Sequence, residues 1–430
     1  MTVEIESPAD KRGRLLAGCS SRYLATVMMM SAWPTVLVSL AIAALGFLLL
    51  GRDRFWRASP VFEREPSDPA PAVWPEVVAV VPARDEAATV EAALRSLLQQ
   101  RYAGTFRILL VDDQSRDATG TIVRRLASEA GGRLAVIRAR DLPAGWSGKL
   151  WAMNEGLTDA RSFAPGASLV LLTDADIAHA PDSLARLVSK AEAGGLDLVS
   201  LMVRLRCRSL AERLLIPPFV FFFQLLFPFE AVNDPLRSTA AAAGGCMLVR
   251  RSALEAAGGP AAIRNRLIDD VALAERVKAL GGPIWLGLSE ATVSLRGYDG
   301  IGGIWRMVRR TADEQLQHSL IRLIATVAMM GVMFVAPVLA LLLWPWHGDP
   351  LLGTLGLIGW LGAALLYAPT ARLYGRPLGW TVTLPLAAVL YTLMTVDSAW
   401  QHRRGRGGGW KGRTFGPPAL YDGPGGATRG

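Results

Sequence analysis

Four stretches without a charged residue limit what this chain can fold into. Each is close to the roughly 20 residues that a helix needs to cross the hydrocarbon core of a bilayer. One lies near the start of the chain and three near its end, at 31–50, 323–346, 351–370 and 377–396. The first is too long for the apolar part of a signal peptide, and no small-residue cleavage site follows it. The sequence therefore predicts a retained N-terminal anchor and about three C-terminal membrane helices.

The overall composition agrees with a folded protein that is partly embedded in lipid. Hydrophobic residues make up 51% of the chain and charged residues 19%, which is the reverse of the balance in disordered proteins. The net charge of +9 comes from basic residues spread along the chain and beside the apolar stretches, as is typical of membrane flanks. We therefore expect no nucleic-acid partner, and the oligomeric state stays open.

Basic residues in the loops between the C-terminal stretches indicate an orientation. Residues 347–350 contain no lysine or arginine, whereas 371–376 contain Arg372 and Arg376. By the positive-inside rule, the second loop and the middle of the chain lie on the cytoplasmic side of the inner (plasma) membrane. The same count places the basic residues of both termini outside, against the rule. The last stretch is therefore either re-entrant or an exception to the rule.

The middle of the chain predicts an α/β domain. Short β-branched runs alternate with helix-patterned stretches, which is typical of a parallel sheet with helices on both faces. The predicted strands are 77–81, 108–111, 134–137, 168–172 and 198–203, and the predicted helices are 87–100, 118–129 and 183–192. The predicted organisation is an N-terminal segment (1–30), the anchor (31–50), a linker (51–75), the α/β domain (76–318), the membrane helices (319–400) and a basic, glycine-rich tail (401–430).

Carboxylates follow three of the predicted strands. Asp85 follows the first strand, Asp112 and Asp113 follow the second, and Asp174 and Asp176 follow the fourth. Ligands of such sheets bind at the carboxyl ends of the strands. The D-x-D pair, Asp174 and Asp176, can share one octahedral cation and leave positions open for a diphosphate. The alternative is that Asp112 and Asp174 cap the turns that follow them.

Two further segments add candidate polar groups. The segment GWSGKLWAMN places Lys149 and Asn154 in a loop that leads into a helix, and it resembles a phosphate-binding loop only superficially. A solvated loop lysine is the alternative for Lys149. Downstream, Asp269 and Asp270 open a predicted helix at 271–280. The helix dipole favours acids at this position, and an acid facing a pocket also suits a general base.

The cysteines and histidines form no metal-binding pattern in the sequence. The three cysteines lie far apart, and the four histidines are isolated along the chain. Neither a disulfide framework nor a zinc signature is therefore expected. A metal site would have to be built from carboxylates, which favour hard cations such as Mg²⁺ or Mn²⁺.

The order of these segments resembles that of the family 2 glycosyltransferases, which have the GT-A fold. The resemblance rests on PARDEAATV, LLVDDQSRDAT, GKLWAMNEG, LLTDAD and IDDVALAERVKALGG, and it extends over about 77–298. The segment GWSGKLWAMNEG, a phenylalanine-rich segment and the arrangement of apolar stretches are most similar to the membrane-bound hopene-associated glycosyltransferases. The implied fold is an α/β GT-A domain with a Rossmann-like, mostly parallel sheet.

The resemblance implies which residues bind the nucleotide of a nucleotide-sugar donor. Asp85 and Asp113, or its neighbour Asp112, correspond to the acids that hold the base and ribose. Lys149 and Asn154 stand in the motif that follows them, and we expect both to contact the donor. UDP is the commonest donor nucleotide in such families, and GDP is the alternative.

The resemblance also implies a metal site and a base. Asp174 and Asp176 correspond to the D-x-D pair that holds Mg²⁺ or Mn²⁺ on the donor diphosphate. Asp270 corresponds to the catalytic base, and Asp269 stands where the family has glutamate, so the choice within this pair stays open. The Q-x-x-R-W motif of processive members does not occur. Transfer of a single sugar is therefore expected.

A lipid is the expected acceptor. Residues 216–229 are apolar, rich in phenylalanine and too short to cross a bilayer, and prolines break the segment. Within an interfacial segment at 213–232, these rings could guide a lipid into the site. Packing in a protein core is the competing interpretation. The resemblance implies a hopanoid or another isoprenoid lipid as the acceptor.

Two other functions compete with glycosyl transfer. A sugar-phosphate nucleotidyltransferase would share the sheet and the carboxylates, although its glycine-rich, arginine-containing loop is missing after the first predicted strand. A non-catalytic membrane scaffold would keep the fold, although a degenerate site tends to lose some of the acids that stand here at each expected strand end.

Overall fold

The computed structural model describes residues 32–404 and two short strands at 409–410 and 413–414. An α/β domain lies between one apolar helix before it and three apolar helices after it. The predicted N-terminal segment (1–30) and nearly all of the predicted basic tail lie outside the described residues.

The elements have the following bounds. The strands are β1 (Glu76–Ala83), β2 (Phe106–Asp112), β3 (Leu134–Arg138), β4 (Ala167–Thr173), β5 (Ile177–Ala178), β6 (Leu198–Arg204), β7 (Cys246–Arg250), β8 (Ile284–Ser294), β9 (Gly409–Trp410) and β10 (Arg413–Thr414). The helices are α1 (Ala32–Leu50), α2 (Val90–Leu98), α3 (Thr119–Glu129), α4 (Gly148–Phe163), α5 (Ser183–Ala193), α6 (Leu210–Leu226), α7 (Phe229–Asn233), α8 (Arg251–Ala256), α9 (Asp269–Ala279), α10 (Gly300–Gln315), α11 (Leu320–Met330), α12 (Ala336–Leu342), α13 (Trp344–His347), α14 (Pro350–Leu373) and α15 (Leu384–Arg403).

Strands β1 to β8 form one sheet in the order β3-β2-β1-β4-β7-β6-β8-β5. The first four strands are parallel, as are β6 and β8, whereas β7 runs antiparallel to β4 and β6, and β5 antiparallel to β8. The predicted strands and the mostly parallel α/β sheet are confirmed. The sequence pattern does not predict β5, which has two residues, or β8, which mixes apolar residues with glycine, serine and glutamate. It also does not predict β7, a five-residue run that directly follows two glycines.

The sheet is buried on both faces. Along β1, Val78 and Val80 belong to the core on one side of the sheet, and Val77, Ala79 and Val81 belong to the core on the other side. This division follows from the two-residue period of a strand. Helix α4 covers the first face beside β1, and α2 and α3 cover the second. A continuous β-branched strand is what such a sheet requires.

Within the described residues, four helices are long and apolar enough to cross a membrane. They are Ala32–Leu50, Leu320–Leu342, Pro350–Leu373 and Leu378–Arg403. The second joins α11 to α12 through a π-helical turn at Gly331–Val335, and the fourth joins a 3₁₀ turn at Leu378–Thr383 to α15. The prediction of one N-terminal and about three C-terminal apolar helices is confirmed.

The last apolar segment begins and ends against the α/β domain. Just before it, the Tyr374 hydroxyl accepts a hydrogen bond of 3.3 Å from the backbone that follows β6. The carbonyl of Val382 then accepts from Trp360 Nε1 in the middle of α14 at 3.0 Å. Near the end of α15, Ser398 Oγ accepts from the backbone N–H of Asp313 in α10 at 3.0 Å. Both ends of the segment therefore lie near the α/β domain.

Helix α6 corrects one prediction. The sequence predicts that prolines break the segment 216–229. Instead, Pro217 and Pro218 lie inside an unbroken α6, and the helix ends only before Pro228. A proline inside a helix costs about 3 kcal/mol. A capping box formed by Ser209 and Glu212 stabilises the start of α6.

Aromatic packing holds α6 against the apolar helices. Phe221 is fully buried, with its ring centroid 5.4 Å from that of Phe55 and 5.7 Å from that of Tyr367. Phe222 lies 5.4 Å from Tyr391. These contacts offset the loss of backbone hydrogen bonds at the prolines, since aromatic pairs of this geometry contribute about 0.5–1.5 kcal/mol each beyond their buried area.

Helix α4 packs so closely on the sheet that a side chain does not fit at Gly156. A Cβ atom there would lie 2.6 Å from Val80 Cγ1 and 2.7 Å from Val111 Cγ2, on two buried strands. We predict that Gly156→Ala lowers the free energy of unfolding by about 1–3 kcal/mol through overpacking. Alanine favours a helix over glycine by about 1 kcal/mol. Helix propensity alone would therefore predict that Gly156→Ala raises the free energy of unfolding.

Chemical unfolding of the detergent-solubilised protein measures this effect. The matched control is Asp159→Ala, at an exposed position of the same helix, which we expect to change stability by less than about 0.5 kcal/mol. A Gly156→Ala variant as stable as the control would contradict the close contact.

Candidate active site

A cavity of about 940 Å³ opens at the carboxyl end of the sheet. Its wall brings together predicted site residues from three parts of the chain: Lys149, Asp174, Asp176, Asp269 and Asp270. Asp174 follows β4, whereas the acid pair opens α9. The lysine, the D-x-D pair and the acid pair therefore share one site.

Lys149 links the D-x-D pair to the acid pair. It lies in the first turn of α4 rather than in a loop, because Ser147 caps the helix by accepting a backbone hydrogen bond at 3.1 Å. Its Nζ atom lies 3.0 Å from Asp174 Oδ1 and 3.2 Å from Asp269 Oδ2, and its side chain is 18% exposed. The alternative of a solvated loop lysine is therefore wrong.

The charges in this cluster shift one another's ionisation. Burial disfavours the ammonium of Lys149, but the carboxylates of Asp174, Asp269 and Asp270 outweigh burial and raise the pKa of the lysine. Burial also raises the pKa of Asp174, with Lys149 opposing the shift and Asp176 adding to it. Burial first, and then the charge of Asp269, raise the pKa of Asp270 to about 6. The site thus combines a charged lysine with carboxyl groups of raised pKa.

Backbone N–H groups hold Asp270 in the cavity wall. Its Oδ2 accepts from Gly244 at 2.6 Å, and its Oδ1 accepts from Val271 at 2.8 Å. A side chain at 244 would crowd this contact, since a Cβ atom would lie 3.2 Å from Asp270 Oδ2 and 3.3 Å from Lys149 Nζ. Neither acid is the N-cap residue of α9, and Asp269 faces Lys149. Helix capping alone does not explain the pair.

Two charged residues that pair with the D-x-D acids or with each other are not predicted from the sequence. Arg296 Nε donates to Asp176 Oδ2 at 2.7 Å, and the other arm of this guanidinium pairs with Glu86. Both residues line the cavity. Glu86 stands next to Asp85 in the first motif, PARDEAATV, and this position could have identified it as a candidate site residue. Arg296 follows β8. Because the sequence pattern does not predict this strand, it gives no reason to expect a site residue at the carboxyl end of β8.

The remaining predicted site residues lie beside the cavity rather than in its wall. They are Asp85, Asp112, Asp113 and Asn154. Asp112 Oδ1 accepts from the backbone N–H of Ser115 at 2.9 Å, so the turn-capping interpretation fits this residue. Asn154 lies in α4 with its side chain half-buried.

A second acidic group lies where β1 and β2 end. Asp113 is fully buried, with Oδ2 3.5 Å from Arg84 Nη1. Asp85 has a φ angle of +50°, and its Oδ1 accepts from a loop backbone N–H at 2.7 Å. The next residue, Glu86, is already in the cavity wall. This group is therefore adjacent to the cavity at its β1 end.

The D-x-D pair offers donors that suit a hard divalent cation. Asp174 and Asp176 both line the cavity, and carboxylate oxygens are the ligands that Mg²⁺ and Mn²⁺ prefer. Lys149 engages Oδ1 of Asp174 and Arg296 engages Oδ2 of Asp176. Within the described part of the chain, the second oxygen of each carboxylate remains for such a cation, so the residues fit the expected metal.

Two histidines that are distant in the sequence stack on each other. The ring centroids of His318 and His402 are 3.9 Å apart, and their planes differ by 9°. His318 follows α10 and His402 lies in the last turn of α15. The histidines are isolated along the sequence, and the contact of this pair arises only from the packing of distant segments.

The central domain matches a known protein family. Residues 78–258 match the model of glycosyl transferase family 2. Together with the strand order, this match confirms the predicted GT-A fold class. A sequence comparison with curated proteins gave no match.

Solved structures with similar folds are distant in sequence. The mannosyltransferase PcManGT from Pyrobaculum calidifontis, in complex with GDP-Man and Mn²⁺, is 20% identical with a TM-score of 0.49, over 84% of this chain and 99% of its own. Glucosyl-3-phosphoglycerate synthase from Mycobacterium tuberculosis is 18% identical with a TM-score of 0.36, over 56% and 79%. TarS from S. aureus is 14% identical with a TM-score of 0.37, over 73% and 55%. At such low identities, a likeness concerns the fold and carries no residue roles.

We predict that Lys149→Met destabilises the protein more at pH 8 than at pH 5. Without the ammonium, the pKa values of Asp174 and Asp270 rise further. A carboxyl group with a raised folded-state pKa penalises the folded state fully above that pKa. The penalty declines as pH falls below it and vanishes below the unfolded-state pKa. We expect the free energy of unfolding to fall by about 2 kcal/mol at pH 8 and by less than half of that at pH 5. The loss is smaller than for a fully buried ion pair because Asp174 is partly exposed.

Unfolding by denaturant at the two pH values tests this prediction. Lys190→Met is the control, since Lys190 pairs with Glu65 and Asp68 outside the cavity. We expect the control to lose similar stability at both pH values. The same behaviour in Lys149→Met would mean that the cavity carboxylates do not depend on this lysine.

Proposed function

We propose that this protein is a membrane-bound, inverting glycosyltransferase that moves one sugar from a nucleotide-sugar donor to a lipid acceptor. The observation that carries the proposal is the cavity, whose wall combines the charged cluster with phenylalanines of α6 and with side chains of α11 and α15. The family match over 78–258 supports the reaction class. We place the domain on the cytoplasmic face of the inner (plasma) membrane, as the loop charges indicate.

The charged end of the cavity suits a sugar diphosphate. Lys149 and Arg296 supply positive charge from two sides. Asp174 and Asp176 would hold Mg²⁺ or Mn²⁺, which when bound would offset the charge that develops on the leaving diphosphate. A nucleoside would then extend toward the ends of β1 and β2, where Asp85 and the Asp112–Asp113 pair lie. UDP is the nucleotide that we favour.

Asp270 is the proposed base. It would take the proton of the acceptor hydroxyl, whose oxygen attacks the anomeric carbon while the opposite bond breaks and the diphosphate leaves with the electron pair. A carboxyl group with a pKa of about 6 is ionised at neutral pH and remains basic enough for this task. Asp269 is held by Lys149 at 3.2 Å, which makes Asp270 the better base of the pair.

The other end of the cavity suits a long apolar acceptor. Helix α6 contributes phenylalanines, α11 contributes methionines and a threonine, and α15 contributes a tyrosine and threonines: Phe219, Phe222, Phe223, Thr326, Met329, Met330, Tyr391, Thr392 and Thr395. These helices are themselves long and apolar or pack on such helices. A hopanoid or another isoprenoid lipid could lie between them with its hydroxyl at Asp270.

The geometry also supports transfer of one sugar rather than polymerisation. The processive motif is missing, and Trp305, which lies in roughly its region, donates from Nε1 to Asp397 Oδ2 at 2.8 Å. This bond joins α10 to α15. Trp305 is therefore engaged in helix packing.

The competing functions make different products. A sugar-phosphate nucleotidyltransferase would release pyrophosphate from a nucleoside triphosphate, and it has no use for the apolar end of the cavity. A non-catalytic scaffold would release nothing, and the paired charges of the cluster speak against a degenerate site. The purified protein is incubated with Mg²⁺ or Mn²⁺ and, in separate reactions, with a panel of sugar nucleotides or with a nucleoside triphosphate and a sugar phosphate. Release of nucleoside diphosphate in the first reaction, of pyrophosphate in the second, or of neither separates the three functions.

We predict that Asp270→Asn lowers the rate of sugar transfer at least about 100-fold while donor binding is retained, because asparagine keeps the shape but cannot accept the proton. Transfer is measured as nucleoside diphosphate release in the presence of a membrane lipid extract, and donor binding by calorimetry. Asp176→Ala is the comparison, since it should weaken Mg²⁺- or Mn²⁺-dependent donor binding itself. Wild-type turnover in Asp270→Asn would rule out this residue as the base.

We predict that Thr326→Trp blocks sugar transfer by filling the apolar end of the cavity, where Thr326 is part of the wall. Hydrolysis of the donor in the absence of lipid should stay within about twofold of wild type, because the charged end is untouched. The control is Val327→Trp, at the next residue of α11, which is exposed on the outer side. Equal transfer by both variants would place the acceptor elsewhere.

A further inference from the structure

A cluster of metal-ligating side chains lies outside the cavity, where the end of α10 meets the end of α15. It consists of Asp313, Glu314, His318 and His402. His318 Nδ1 lies 2.7 Å from Asp313 Oδ2, and His318 Nε2 lies 3.0 Å from Glu314 Oε2. The ring of His402 stacks on that of His318. The proposed glycosyl transfer uses none of these groups.

The spacing of the donor atoms is close to that of a coordination shell. One ligand atom from each of Asp313, His318 and His402 lies within 4.8 Å of the other two. Around a tetrahedral ion with bonds of about 2.0–2.2 Å, ligand atoms lie about 3–4 Å apart, so a small closure is needed. Because the rings are parallel, one imidazole must also turn so that both nitrogen lone pairs meet one ion. His318 is 42% exposed, which leaves room for this turn.

The backbone holds His318 in place at an energetic cost. Gln317 and His318 have φ angles of +52° and +55°. This left-handed region costs a residue with a side chain about 1–2 kcal/mol, and glycine usually occupies it after a helix. Here the turn brings His318 back to α10, where its N–H donates to the Asp313 carbonyl at 3.1 Å. Strain of this kind concentrates at functional sites.

The two segments that carry the ligands are fixed to each other. Ser398 Oγ accepts from the backbone N–H of Asp313 at 3.0 Å, one turn before His402 in α15. A second bond, from Trp305 to Asp397 at 2.8 Å, joins the same helices. Ligands on packed helices are positioned more accurately than ligands on loops, which favours metal binding.

We propose that Asp313, His318 and His402 bind a transition-metal ion of the zinc class, with Glu314 accepting from the second ring nitrogen of His318. Imidazole and carboxylate together suit Zn²⁺ and its neighbours, whereas an all-carboxylate pair suits Mg²⁺ or Mn²⁺. The site is therefore distinct from the D-x-D pair in position and in chemistry. A bound ion would cross-link the end of the last apolar helix to the α/β domain. This inference does not depend on glycosyl transfer.

Cobalt titration tests the site. The full-length protein is purified in detergent through a tag without histidines, stripped of metal with a chelator, and titrated with Co²⁺. We expect a saturable visible absorption band typical of tetrahedral Co²⁺ with nitrogen ligands, which Zn²⁺ displaces. His318→Ala and His402→Ala should each weaken Co²⁺ binding at least about tenfold.

Matched variants separate this site from other metal ligands. His347→Ala removes a histidine that bonds to the Ala340 carbonyl far along the apolar helices, and Asp174→Ala removes a D-x-D carboxylate; both should keep the band. His402→Gln checks for folding defects: without metal it should unfold at the wild-type temperature, and only the wild type should be stabilised by Zn²⁺. A missing band in the wild type, an unchanged band in His402→Ala, or a lost band in Asp174→Ala would overturn the proposal.

Discussion

The site depends on one ammonium group held between carboxylates from distant parts of the chain. β4 delivers Asp174 and α9 delivers Asp269, and the Ser147 cap starts α4 so that Lys149 reaches both. Without this cation, bringing the acids together in a partly buried cavity would be strongly unfavourable, because buried carboxylates need compensation. Arg296 plays the matching part for Asp176 and Glu86. The charge pattern therefore ties the sheet, α4, α9 and the end of β8 into one unit.

The parts of the site that follow uniform buried strands can be predicted from the sequence. β1 and β4 are evident as β-branched runs, so the amino-acid pattern alone locates the acids after them. Arg296 could not be found in this way, because β8 is a mixed strand and its end has no local signal. The sequence pattern identifies Lys149 but places it in a loop. Helix α4 begins one residue before Lys149, at Gly148, and a serine followed by a glycine does not mark a helix start clearly in the sequence. The stacking of His318 on His402 results only from tertiary packing of segments that are distant in the sequence, so the local sequence does not predict it.

Helix α6 lies between the cavity and the apolar helices. Its prolines suggested a break, but one side of the helix is buried against aromatic rings of the apolar helices while Phe219 and Phe223 face the cavity. Tertiary packing thus overrides a local preference of about 3 kcal/mol per proline. The same helix thus packs in the core on one side and contributes phenylalanines to the cavity wall on another.

The path of the last apolar segment has a consequence for biogenesis. Because α15 returns toward the domain, Arg403 and Arg404 lie on the domain side of the apolar helices, as do Arg372 and Arg376. Carrying each guanidinium through hydrocarbon would cost about 2.5–3.5 kcal/mol on insertion scales. With both arginine pairs beside the domain, the last apolar segment can be inserted without moving any of these four side chains across hydrocarbon.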